Sequence, residues 1–183
     1  MRASWQASRI SLLVLTGMML GCAPSFRWVR DPPNIPSCLP DRLLTWDDFT
    51  KRSASGRRGA ETAVGFHLAP GSAPRIRAQF DHERSWVRPE VAYAPAKRSE
   101  RLLRHEQAHF ALSCLLAREA NVALQTGGDP QDMLFLVNAV ATRLNVQYDV
   151  ETNHGQNVDQ QGQWEEVIQA RLKAGPATNI RTP

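Results

Sequence analysis

The sequence predicts an α+β domain in which a small antiparallel β-sheet is followed by three helices. Apolar residues alternate along two short runs in the first half of the chain, 62–68 and 75–80. In the second half, the patterns at 96–126, 131–147 and 164–173 are those of helices. Strands that precede helices in this way are typical of an α+β domain.

The strand segments share the period of a half-buried sheet. The sequence PGSAP at 70–74 supplies a turn between the two alternating runs. A third short strand is predicted around 85–88. We therefore interpret 60–93 as one small antiparallel sheet.

The helical segments are separated by clear breaks. The first, 96–126, carries a broad apolar stripe and is stopped by the sequence GGDP at 127–130, which also starts the second helix, 131–147. The polar stretch 149–162 has no aliphatic period and is expected to be largely a loop. The last helix is predicted at 164–173.

The N-terminus predicts export from the cytoplasm. Residues 10–20 form an apolar core that is too short to span a bilayer but has the length of a signal-peptide core. Gly21-Cys22 follows and resembles the lipobox of bacterial lipoproteins. We interpret 1–21 as a lipoprotein signal peptide and Cys22 as an acylated anchor to the membrane. The alternative is ordinary secretion with a cysteine nearby by chance. The lipoprotein interpretation places the protein in the bacterial cell envelope, facing the periplasm or the exterior.

The remaining chain divides into a Pro-rich tether at 22–42, a folded domain at 43–174 and a disordered tail at 175–183. An oxidising compartment allows Cys38 and Cys114 to form a disulfide. Two free buried thiols are the alternative.

Charge gives no sign of a nucleic-acid partner. The net charge is +4, but the 22 Lys and Arg residues are scattered along the chain. No basic patch is interleaved with aromatic residues, so we do not expect nucleic-acid binding.

The sequence HEQAH at 105–109 is the candidate for a catalytic metal site. His105 and His109 lie one turn apart on the same face of the first helix, where two imidazoles can chelate one zinc ion. Glu106 lies about 100° around the helix, where its carboxylate can take a proton from a metal-activated water. This is the pattern of the active-site helix of zincins. Histidines held in a core by hydrogen bonds are the alternative.

A catalytic zinc site needs a third protein ligand. An extended metzincin motif is excluded because Leu112 and Leu115 occupy its glycine and histidine positions. Glu119 lies about 15 Å beyond His109 on the same helix, too far to join the site.

The segment YDVETNHG at 148–155 offers the best candidates. We predict His154, which precedes the flexible Gly155, as the third ligand on a loop. Asp149 is the alternative ligand. If His154 is the ligand, we expect Asp149 instead to orient one of the metal-binding imidazoles without binding the metal itself. Tyr148 is a candidate for stabilising the oxyanion of a tetrahedral intermediate, with simple packing as the alternative.

Several segments together resemble a family of bacterial secreted, predicted zinc-dependent proteases that is catalogued as a domain of unknown function. The resemblance covers about 43–172, and the segments that carry it are LTWDDF at 44–49, SWV at 85–87, LRHEQAHF at 103–110, YDVETNHG at 148–155 and QGQW at 161–164. It implies zinc dependence and peptidase activity, and it supports the segment around His154 as part of the site. Ala111 departs from the pattern, because an acidic residue is expected there.

The function expected from the sequence is a zinc metallopeptidase that acts on a peptide or protein substrate, with Glu106 as general base. A non-catalytic, metal-binding envelope lipoprotein that binds a partner or a cell-wall component is the alternative. A third hypothesis is hydrolysis of another amide, such as a cell-wall cross-link.

Overall fold

The computed structural model describes residues 38, 43–56, 58–69 and 73–174. The described part is an α+β domain, as predicted. After a 3₁₀ turn at Trp46–Asp48, the elements in chain order are β1 (Thr50–Lys51), β2 (Ala60–Glu61), β3 (Val64–Ala69), β4 (Arg75–Phe80), β5 (Trp86–Val87), α1 (Pro89–Ala92), α2 (Ala96–Gln125), α3 (Pro130–Thr152) and α4 (Val158–Lys173).

The predicted signal peptide 1–21, the lipidation site Cys22, the tail 175–183 and the tether, apart from Cys38, lie outside the described residues. Within the part of the chain that the structure describes, no helix is long and apolar enough to cross a membrane.

Strands β3 and β4 form the antiparallel pair that the sequence predicts, in register from Val64 opposite Phe80 to Ala69 opposite Arg75. Every second side chain of β4 is buried, which places one face of the pair on the core. The side chain of Asn121 on α2 binds the free edge of β4: it accepts a hydrogen bond from the Ile76 amide at 2.7 Å and donates one to the Ile76 carbonyl at 2.8 Å. This contact fixes the sheet to the helix.

The prediction of a single antiparallel sheet over 60–93 is wrong in two respects. Strand β5 belongs to a second sheet, where it pairs in parallel with β1 and antiparallel with β2. The short helix α1 then follows β5, because Pro89 at its first position has its φ already fixed for a helix. Strands of two residues have no detectable alternation, so their pairing is set by tertiary contacts alone.

Helix α2 is confirmed at its predicted position. It ends before Gly127, whose φ of +98° lies in the left-handed region that favours glycine. Asp129 then caps α3, since its carboxylate accepts hydrogen bonds from the amides of Gln131 and Asp132. The break between the two helices is therefore encoded locally, as predicted.

The later helix boundaries differ from the prediction. Helix α3 continues to Thr152 instead of ending at 147, and α4 begins at Val158 instead of at about 164. The expected loop over 149–162 is thus reduced to a tight turn at 153–157. The end of α3 and the start of α4 lack an aliphatic stripe, because side chains such as Gln161 are buried although they are polar. The sequence pattern therefore does not indicate a helix there.

Cys38 and Cys114 form the predicted disulfide, with their Cα atoms 5.2 Å apart and a separation of 76 positions in sequence. Cys114 lies in the cluster of buried residues around Phe49, Phe80 and Phe110, and Cys38 packs against it. The bridge therefore fastens the segment around Cys38 to the middle of α2.

Replacing both Cys38 and Cys114 with alanine is expected to lower the free energy of unfolding by roughly 4 kcal/mol, because the bridge restricts a long loop in the unfolded chain. Urea unfolding of the double variant measures this change. Wild-type protein with a reductant should match the variant. An unchanged unfolding midpoint in both samples would contradict the stabilising role.

Candidate metal centre

The two histidines of the predicted motif lie side by side on α2. Their ring centroids are 4.8 Å apart and the ring planes are nearly perpendicular. The His105 side chain is 2% exposed and that of His109 is 12% exposed. Both imidazoles are therefore largely removed from water, where unpaired polar nitrogens are costly.

Helix α3 brings Asp149 against this pair. One carboxylate oxygen, Oδ1, lies 3.0 Å from His105 Nε2 and 3.0 Å from His109 Nε2, and the two Nε2 atoms are 3.2 Å apart. Among the described residues, His105, His109 and Asp149 form the one group of three or more histidine, cysteine or acidic side chains whose ligand atoms converge closely enough to hold a metal ion.

Asn145, one turn before Asp149 on α3, determines which nitrogen of His109 carries the proton. Its Nδ2 donates to the Ala141 carbonyl at 2.9 Å, so its Oδ1 is the atom that faces His109 Nδ1 at 2.7 Å. An oxygen in that place requires a proton on His109 Nδ1. In a neutral ring, His109 Nε2 then presents a lone pair to the Asp149 carboxylate.

A lone pair and a carboxylate oxygen at 3.0 Å repel each other unless a proton or a metal cation lies between them. The pKa values of Asp149 and His109 are both shifted toward the charged form of the side chain. Burial acts to raise the pKa of Asp149, but hydrogen bonds from His105 and His109 outweigh it and hold the pKa well below its usual range. Burial acts to lower the pKa of His109, but the hydrogen bond to Asp149 and the charge of Glu106 raise it above its ordinary value.

His154 lies at the rim of the site and outside the converging group. Its Nδ1 is 3.3 Å from Asp149 Oδ1, and its side chain is 52% exposed. The structure thus groups Asp149, the alternative ligand of the sequence analysis, with the two histidines, and it places His154 against that carboxylate. The reason is the extension of α3, which puts Asp149 on the helix face that carries Asn145.

The turn that carries His154 is held in an uncommon backbone conformation. Asn153 and His154 both have positive φ values, 48° and 51°, and Gly155 follows at 77°. The His154 amide donates to the Asp149 carbonyl at 2.9 Å, and the Gly155 amide donates to the Thr152 hydroxyl at 3.3 Å. These contacts close the end of α3 directly beside the site.

Glu106 is buried beside the histidines, with 3% of its surface exposed. Its negative charge acts to raise the pKa of both His109 and Tyr148. Its backbone carbonyl accepts a hydrogen bond from the Thr62 hydroxyl at 3.3 Å, which links this turn of α2 to the segment just before β3.

Tyr148 is completely buried and its ring packs against both histidines. It stacks on His105 with centroids 4.7 Å apart and meets His109 edge-on at 4.9 Å. Trp164 of α4 also contacts the ring, in an edge-on arrangement with centroids 5.5 Å apart. The Tyr148 hydroxyl is buried without a hydrogen-bond partner, and burial raises its pKa well above the ordinary value. The Tyr148 ring is therefore packed in the core, as the alternative interpretation of the sequence proposed. The role of its hydroxyl as a hydrogen-bond donor to an oxyanion stays a prediction.

Two residues near the site were missed in the sequence, Asn145 and Gln161. Asn145 lies four residues before Asp149, a spacing that would have indicated a shared helix face if α3 had been extended to Thr152. The candidate ligand Glu119, excluded by distance, pairs with Arg118 instead, at 3.2 Å.

Comparison with protein-family models, with curated proteins and with solved structures found no match for this chain.

Proposed function

We propose that the chain is a zinc-dependent peptidase whose metal is held by His105, His109 and Asp149. The observation that carries the proposal is the convergence of two imidazole nitrogens and one carboxylate oxygen within 3.2 Å of one another at a partly buried point. A direct contact between two imidazole nitrogens is poorly satisfied by protons alone, and a shared cation satisfies all three atoms together.

The donor set fits zinc. Two histidines and one carboxylate are the protein ligands of one common class of catalytic zinc site, in which a fourth position stays open for water or substrate. Asn145 adds the support that such sites require, since it binds the far nitrogen of His109 and leaves Nε2 free to act as a ligand. His154 holds the Asp149 carboxylate from its exposed side.

The presence of Glu106 favours hydrolysis over a purely structural site. When bound, zinc lowers the pKa of water in its open position and polarises a carbonyl oxygen. Glu106 follows the first histidine, and its buried carboxylate accepts the proton of the attacking water and delivers it to the leaving amine.

A peptide substrate is supported by the resemblance to secreted zinc-dependent proteases, which includes the segments that carry His105, Asp149 and Gln161. The disulfide between Cys38 and Cys114 supports the proposed location outside the cytoplasm, since such bridges persist in oxidising compartments.

The proposal is tested with purified protein and a diverse mixture of unstructured peptides. We expect cleavage that stops when a chelator removes the metal and resumes when about one equivalent of zinc is added. Cleavage that continues in the metal-free protein would contradict the proposal. Protein that binds zinc and cleaves none of the peptides would favour the non-catalytic, metal-binding lipoprotein.

A further inference from the structure

The proposed metal site is bordered by polar atoms that are buried without a partner. In the described part of the chain, five buried side-chain nitrogen or oxygen atoms have no hydrogen-bond partner, and they belong to Arg88, His105, Arg118, Tyr148 and Gln161. Two of them, His105 Nδ1 and Gln161 Oε1, belong to side chains that lie next to Gly155. A buried polar atom without a partner costs about 1–3 kcal/mol, so such atoms near a site call for an explanation.

The orientation of the Gln161 amide is set by its nitrogen. Nε2 donates to Glu165 Oε1 at 2.7 Å and approaches the Arg101 carbonyl at 3.4 Å. Oε1 is therefore the atom directed toward the turn after α3, and the side chain is only 2% exposed.

Gln161 Oε1 and the His105 side chain both lie close to Gly155. A β-carbon added at Gly155 would lie 3.0 Å from Gln161 Oε1, 3.0 Å from His105 Cβ and 3.1 Å from His105 Cγ. The amide oxygen and the His105 side chain thus border the same point, and they approach it this closely because Gly155 has no side chain.

A histidine that binds a metal through Nε2 carries its proton on Nδ1. At His105 that N–H is buried and needs an acceptor, and Gln161 Oε1 is a buried acceptor that lacks a donor. His109 already has such a partner in Asn145. Each imidazole would then be oriented by one side-chain amide from a different neighbouring helix.

We propose that Gln161 is a positioning residue that accepts a hydrogen bond from His105 Nδ1–H in the metal-bound protein and so fixes the tautomer in which Nε2 is the ligand. This inference rests on the proposed metal site. It assigns to α4 a part in metal binding, although α4 supplies no ligand of the triad.

The test replaces Gln161 with methionine, which has similar length and no amide oxygen. We expect zinc affinity to fall about tenfold to a hundredfold, the usual effect of removing such a partner, as measured by competition with a chromophoric chelator. Gln163→Met is the matched control, because Gln163 is an exposed glutamine on the same helix, and its affinity should equal that of the wild type.

A spectroscopic measurement separates this role from a merely structural one. In the zinc-loaded wild type, ¹⁵N-edited NMR should show the Nδ1 proton of His105 protected from exchange with water, and Gln161→Met should lose that protection. A protected proton that persists in the variant, or an unchanged zinc affinity, would overturn the inference. If the variant does not fold, an unprotected Nδ1 proton in the wild type overturns it equally.

The two proposals fail in distinguishable ways. Wild-type protein that binds no zinc contradicts the proposed function itself. Wild-type protein that binds zinc through His105, His109 and Asp149, together with normal binding by Gln161→Met, contradicts only the role of Gln161.

Discussion

Glu106→Gln is expected to lower the rate of peptide hydrolysis by about a hundredfold to ten-thousandfold, the usual contribution of a general base, while zinc remains bound. Glutamine has the shape of glutamate but cannot accept the proton of the attacking water. Because Glu106 is buried beside the ligands and is not one of the three converging groups, the substitution removes the base and keeps the metal. Steady-state kinetics and a zinc assay on the same preparation measure the two effects.

The matched control for this experiment is Glu100→Gln. Glu100 is an exposed acidic residue on the same helix, so its replacement should leave the rate and the zinc content unchanged. A Glu106→Gln variant with the wild-type rate would show that the proton is taken by another group, and the proposed mechanism would then be wrong.

Asp149→Ala is expected to weaken zinc binding by more than about a hundredfold, which exceeds the effect of losing a residue that only supports a ligand. Removing the carboxylate takes away one of the three converging atoms and the negative charge that offsets the metal. Two histidines that remain on one helix form an incomplete site. A competition titration against a chelator of known affinity measures the change.

Two further variants make this result specific. Asp132→Ala replaces an exposed aspartate on the same helix and should bind zinc normally. His154→Ala should weaken binding only about tenfold, because His154 contacts the Asp149 carboxylate without joining the triad. Loss of zinc in His154→Ala with normal binding in Asp149→Ala would instead make His154 the third ligand.

The elements that the sequence predicts well are those in which burial follows a simple period. Strand β4 buries every second side chain, and α2 combines a long apolar face with a break at Gly127. Two-residue strands such as β1 and β2 give no such signal. Their pairing with β5 depends on contacts between segments that are distant in the sequence.

The helix ends near the site were harder to predict because function and burial there use polar residues. Asp149 and Gln161 interrupt the aliphatic pattern at the end of α3 and at the start of α4, although Gln161 is almost fully buried. The segment 149–162 therefore reads as a loop although most of it is helical.

The uncertain end of α3 also explains why the sequence analysis favoured His154 over Asp149 as the third metal ligand. The spacing of His105 and His109 identifies their common face without any tertiary information. Asp149 and His154 are five residues apart, and only the extent of α3 determines which of them faces the pair. Once the helix is known to reach Thr152, the spacing of Asn145 and Asp149 places the carboxylate on the face that meets His109.

The most direct test of the metal centre is a count of metal ions by elemental analysis of purified, extensively dialysed protein. The convergence of His105, His109 and Asp149 predicts about one zinc ion for each chain, and none in a variant that lacks Asp149. Wild-type protein without bound metal, or with iron in place of zinc, would contradict the account.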